Sequence, residues 1–95
     1  DHVSMGTIAA RKTKMILENL QYVIAIELLC GAQAMDLFTN LKPGKGTLAA
    51  YKILRKNVTH MERDRELAPD IEKVAKLMGD DDILHSVERA CGELL

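Results

Sequence analysis

The side chains of this 95-residue chain best suited to chemistry are its three histidines, two cysteines and two tyrosines, together with its carboxylates. His2, His60 and His85 lie far apart, and none has a His or Cys partner at the spacing of a zinc site. They are expected in surface or capping roles, and no metal site is expected. Gly44-Lys45-Gly46-Thr47 partly matches the phosphate-binding loop, whose backbone N–H groups cradle phosphate oxygens. That pattern needs Gly where Thr39 stands and a hydroxyl residue where Gly46 stands, after a strand for which there is no pattern. The stretch reads as a connector between helices. Glu27 sits in an apolar run, where an unpartnered carboxylate is costly, so a paired structural carboxylate is expected, with a catalytic one as the alternative. Glu62 to Glu66, with Arg63-Asp64-Arg65 at its centre, reads as a surface ion network, with a docking patch as the alternative. Exposed pairs of this kind contribute only ~0–1 kcal/mol each. The chain has no nucleophile–base pair and no oxyanion loop, so no catalytic, cofactor-binding or metal-binding residue is assigned.

Composition narrows the classes further. A formal net charge of −1 gives no general attraction to phosphate or acidic membranes. Arg11, Lys12 and Lys14 would spread around a helix, with Glu18 four residues beyond Lys14, and they read as a solvated face. With 3% aromatic residues and no Trp, a stacking platform for single-stranded nucleic acid is not expected. The 47% apolar and 28% charged content is that of a globular chain. Cys30 and Cys91 are too few and too distant for a disulfide framework, and are expected to be buried thiols in a reducing cytoplasm. Asp1 in place of an initiator Met suggests removal of an upstream part or an excised piece. No secretory leader pattern is present.

The elements that would carry these residues are all helical. Ile8, Met15, Tyr22 and Leu29 recur every seven residues, and Leu17, Leu20, Ile24 and Leu28 form a neighbouring line. Together they predict one very long helix over about 4–38, with Ser4 as its N-cap. From Tyr22 to Met35 the pattern is apolar nearly all round, which implies burial on more than one side. Taken alone that run is too short and too polar to span a bilayer, which needs ~20 apolar residues. Pro43, Gly44 and Gly46 break the chain. Shorter helices are predicted over about 47–60, 69–78 and 81–94. The second carries Tyr51, Leu54, Val58 and Met61 on one face, with a possible interruption near Asn57–Thr59 and capping-box spacing at Thr59…Glu62. Pro69 suits a first helical position, and Gly79 a stop. The expected class is all-α: one long helix and three or four short ones in a single helical segment, part of a larger multi-helix bundle. A chain this small cannot cover so long an apolar helix.

Six runs carry a resemblance. They are Asp1-His2-Val3-Ser4-Met5-Gly6, Ile24-Ala25-Ile26-Glu27-Leu28-Leu29, Ala32-Gln33-Ala34-Met35-Asp36, Leu41-Lys42-Pro43-Gly44-Lys45-Gly46-Thr47, Arg63-Asp64-Arg65 and Ala68-Pro69-Asp70-Ile71-Glu72. Together they resemble the carboxy-terminal part of histidine ammonia-lyases, in the aromatic amino acid ammonia-lyase family. His2 after Asp1 favours the histidine branch over the phenylalanine and tyrosine lyases and the aminomutases.

The resemblance implies a parent enzyme that converts L-histidine to trans-urocanate and ammonia, in histidine degradation. It implies a methylidene-imidazolone electrophile formed from an internal Ala-Ser-Gly, and a cytoplasmic homotetramer of long helices whose active sites draw on several subunits. The 95 residues contain no Ala-Ser-Gly. The family's tyrosine base and active-site glutamate lie outside these residues, and Tyr22 and Tyr51 fall on helical core stripes. The chain is therefore expected to be inactive alone and to self-associate, with an amino acid substrate only in the full-length enzyme and no nucleic-acid or membrane partner. The positive end of the long helix would lie near the active centre, making His2 and Ser4 positioning residues at its edge. The alternatives are a free-standing helical interaction module, or a piece of a tyrosine or phenylalanine lyase or aminomutase.

Overall fold

A computed structural model of the chain describes residues 2–38, 40 and 42–94, without the side chains of residues 2–4. Its elements are α1 (His2–Leu37), α2 (Lys45–Asn57), α3 (Ala68–Gly79) and α4 (Asp82–Cys91). Among the described residues there is no strand, so the all-α class holds.

The 36 residues of α1 run unbroken, which at 1.5 Å per residue is a rod of ~54 Å. It contains no proline, and Gly6 and Gly31 are single, tolerated glycines. It begins at His2, so Ser4 lies in the first turn and not ahead of it as a cap. The side chains of His2 and Ser4, and with them the proposed positioning roles, lie outside the described residues.

The second helix ends at Asn57, three residues before the predicted limit of 60. Its last turn carries Arg55 and Lys56, which suit the negative end of the helix dipole. Val58 turns extended at φ −130° and becomes fully buried, while Met61 leaves the helix face for the connector. No helix starts at Thr59…Glu62; residues 59–67 form an irregular link. Pro69 occupies the first turn of α3, where its missing N–H costs nothing, and Asp70 adds a favourable charge there. Asp81, at φ 58°, makes the tight corner into α4. That last helix stops at Cys91 and not near 94, because Gly92 adopts φ 90°, a conformation open chiefly to glycine.

The core is small: Ala25, Ala32, Leu54, Val58 and Val74, with Leu28, Leu29, Tyr51, Ile71, Ala75 and Met78 packed around it. It gathers the carboxy-terminal half of α1, α2 and α3, while α4 covers α2 on the other side, where Val87 and Cys91 approach Gly46. Residues 5–23 of α1 are exposed throughout. Met15 and Ile16, for example, are 61% and 65% exposed.

The radius of gyration is 16.6 Å, against the ~12–13 Å expected of a compact chain of this length. The extents of 60 × 36 × 18 Å give the reason, a rod projecting from a small helical head. Taken as one element, Met5–Leu37 is long and apolar enough to cross a membrane by length and composition. The run 22–35 considered alone does not convey this.

Cys30 and Cys91 are both exposed, contrary to the expectation of buried thiols. Cys30 lines an open cavity beside α1, and Cys91 ends α4, so neither thiol is covered.

Candidate functional site

The densest polar cluster lies where α1 ends. Asp36 is one residue before the end of α1, and α2 returns alongside it, bringing Tyr51 and Arg55 to face it from positions one helical turn apart. Arg55 donates to Asp36 Oδ2 from Nη2 at 2.8 Å and from Nε at 3.1 Å. Tyr51 donates its hydroxyl to Oδ1. From the connector, His60 Nδ1 lies 2.6 Å from Oδ2. Every donor thus points at one carboxylate, whose side chain is 13% exposed.

A neighbouring layer extends the cluster. Gln33, one turn before Asp36, accepts from Arg55 Nη2 at 3.3 Å and donates from Nε2 to the Met61 carbonyl at 2.8 Å. The Met61 N–H returns a bond to Gln33 Oε1 at 3.3 Å. Arg55 Nη1 also donates to the Val58 carbonyl at 3.0 Å, and its guanidinium lies 5.9 Å from the Tyr51 ring centre. Side chains from α1 and α2 therefore satisfy backbone groups of a connector that has no ladder of its own.

The electrostatics favour fixed charges. Burial alone would raise the Asp36 pKa, but hydrogen bonds from Tyr51, His60 and Arg55, together with the Arg55 charge, outweigh it and hold it below the ordinary value. Tyr51 is pushed up, first by its hydrogen bond to Asp36 and then by burial, so it stays a phenol and a donor. Tyr22 is also raised, chiefly by the charge of Glu72, whose Oε2 lies 3.4 Å from its hydroxyl. Neither tyrosine is poised as a base. The Asp36 cluster can hold three segments together, and it contains no activated nucleophile.

Beside the cluster is an open cavity of about 350 Å³. Ile26, Leu29, Cys30 and Leu37 of α1 form one wall, and Val58, Met61, Leu67 and Ile71 the other. Its surface is largely apolar, which suits a hydrophobic side chain or helix better than a charged metabolite.

The remaining sequence candidates are dispersed. Glu27 is exposed, so it needs no buried partner. The expected ion network over 62–66 does not form as drawn. Arg65 instead pairs with Asp70 at 2.9 Å and donates to the Thr59 carbonyl at 2.7 Å. His85 is exposed on α4. His60, expected at the surface, is half-buried against Asp36. Among the described residues no group of His, Cys, Asp or Glu could hold a metal ion. The tripeptide Ala-Ser-Gly does not occur in these 95 residues.

Comparison with known proteins supplies the family. The aromatic amino acid lyase family model matches residues 1–56. The chain is 51% identical over 94 residues to a histidine ammonia-lyase of Gloeobacter violaceus and 50% identical over 94 residues to one of Natranaerobius thermophilus. It is 48% identical over 90 residues to one of Myxococcus xanthus. These matches cover 95–99% of the chain but only 18% of each relative. No solved structure gives a significant match. With the family model matching more than half of the chain and these relatives aligned over nearly all of it, the chain belongs to the aromatic amino acid lyase family.

Proposed function

We propose that this chain is the carboxy-terminal structural part of a histidine ammonia-lyase, whose whole enzyme converts L-histidine to trans-urocanate and ammonia in the cytoplasm. The observation that carries the reading is the continuous similarity over 94 residues to proteins named histidine ammonia-lyase, spanning 18% of their length. The geometry agrees with a supporting role. The polar cluster is a clamp that ties α1, α2 and the connector together.

The surface supports the same reading. A compact monomer of this mass exposes ~5,500 Å², whereas the chain exposes 7488 Å². The excess of ~2,000 Å² is the scale of a full protein–protein interface. Met5, Ile8, Met15, Ile16, Leu17 and Leu20 account for much of it. In this reading α1 packs against further copies of itself and against the rest of the lyase polypeptide, with no need of a membrane or nucleic acid.

The test is complementation. The 95-residue chain alone, incubated with L-histidine, is expected to give no urocanate absorbance. Co-expressed with a Gloeobacter relative lacking its matching 94 residues, it is expected to restore turnover of histidine in preference to tyrosine or phenylalanine. Urocanate formation by the chain alone would refute the supporting role. Self-association without any restored activity would favour the free-standing helical module, for which the exposed face of α1 speaks. Restored activity on tyrosine or phenylalanine instead would move the chain to another branch of the family.

A further inference from the structure

The connector 58–67 has no helix or strand to hold it, yet it forms one wall of the apolar cavity through Val58, Thr59, Met61, Arg65 and Leu67. Its attachments to α1 converge on two side chains one turn apart. Asp36 takes His60, and Gln33 takes both backbone groups of Met61. Arg55 ties these to each other, bonding Asp36, Gln33 and the Val58 carbonyl at once. At its far end the connector is held to α3 by Arg65 on Asp70. The helices keep a core of their own: Val58 stays packed with Leu54, Val74, Ala25 and Ala32, Leu77 is buried as well, and α4 packs against α2.

We propose that Asp36 is a latch that holds residues 59–67 as a strap over the apolar cavity between α1 and α3, and that loss of its charge frees the strap while the helices stay folded. The charged and titratable groups facing Asp36 are Arg55 and Tyr51 from α2 and His60 from the connector, with the Arg65–Asp70 pair bonded behind the His60 carbonyl. Without the Asp36 charge, Arg55 loses its anchor and Gln33 loses the partner that orients it. Met61 then has no fixed acceptor. The strap beyond the buried Val58 is released as a unit because its bonds to α1 converge on Asp36 and on Gln33, which Arg55 ties to Asp36, and this is how a locally unfolding segment separates from a stable core.

The test is segment-resolved amide hydrogen exchange on the 95-residue chain and its Asp36→Asn variant at neutral pH. In the variant, exchange over residues 59–67, the Met61 amide included, is expected to speed up on the order of 10- to 100-fold, the size expected of lost hydrogen bonds to a charged group. Amides in the interiors of α2 and α3 should keep their rates. A strap that exchanges no faster, or helices that accelerate by the same factor or lose their circular dichroism, would overturn the proposal. A second measurement needs no substitution. In the unaltered chain, once rates are corrected for their intrinsic pH dependence, acidification below about 4 should release residues 59–67 before the helical signal falls. Simultaneous loss of both would also overturn it.

Discussion

Asp36 sets the terms at the scale of single residues, because its carboxylate is bonded by three different side chains and has little contact with water. Replacing it with Ala leaves Arg55 partly buried without its counter-charge, and breaking such a pair from one side costs about 3–5 kcal/mol at full burial. With the pair still 13–15% exposed, we expect ~2–3 kcal/mol, read as lost amide-exchange protection of residues 59–67 with only a small shift in the urea midpoint of the helices. The pH dependence has a definite sign. The folded pKa of Asp36 is lowered, so its contribution is complete above the unfolded value of about 4 and drains away as pH falls through the folded value. Stability measured between pH 6 and pH 2 should fall with acid, and the Asp36→Asn variant should show a shallower decline. Leu54, 2% exposed, belongs to a separate apolar account. Leu54→Ala is expected to cost about 2–4 kcal/mol, checked by the same denaturation. Little of the polar cluster was legible beforehand. Asp36 and His60 are 24 residues apart in sequence, and helical periodicity reports which residues share a face, not which distant side chains meet. A signal was available in Gln33 and Asp36, polar residues at a three-residue spacing in an otherwise apolar run.

At the scale of elements, periodicity and punctuation carried most of the information. The long apolar repeat identified α1, and Pro69 placed the start of α3 within one residue. The ends of α2 and α4 were overextended because apolar residues continue past them. Val58 and Met61 keep the helical spacing while the backbone has already turned extended, drawn inward by burial of Val58 and by the bonds of Met61 to Gln33. Gly92 ends α4 although Leu94 continues its stripe. The α2–α4 contact depends on another glycine. A Cβ on Gly46 would lie 3.3 Å from Val87 Cγ1 and 3.5 Å from Cys91 Sγ. A larger side chain must therefore push α4 away. Gly46→Val is expected to cost about 1–3 kcal/mol through overpacking and to raise amide exchange in α4 more than in α3.

At the scale of the whole molecule, the decisive feature is the mismatch between a small head and a long apolar rod. The sequence made this visible, since a helix of that length with so many apolar residues needs more cover than the remaining residues provide. Family membership was legible for a different reason: the similarity is spread over nearly the whole chain. We expect the isolated chain to sediment as an oligomer. The double substitution Ile16→Glu and Leu20→Glu, both on exposed positions, should shift it towards monomer without loss of helix. A chain that sediments as a monomer before substitution would remove the physical support for self-association.

The rod is gripped at one end only, and this gives it the mechanics of a lever. Ala25 and Ala32 are its buried fulcrum against the head, and beyond Ala25 some 35 Å of helix extends at 1.5 Å per residue. A tilt of about 3° at the fulcrum displaces the far tip by roughly 2 Å over that length. Two alanines far from His2 thus govern where the amino-terminal tip of the rod points. A bulkier side chain at Ala25 would re-aim it while leaving its own sequence untouched.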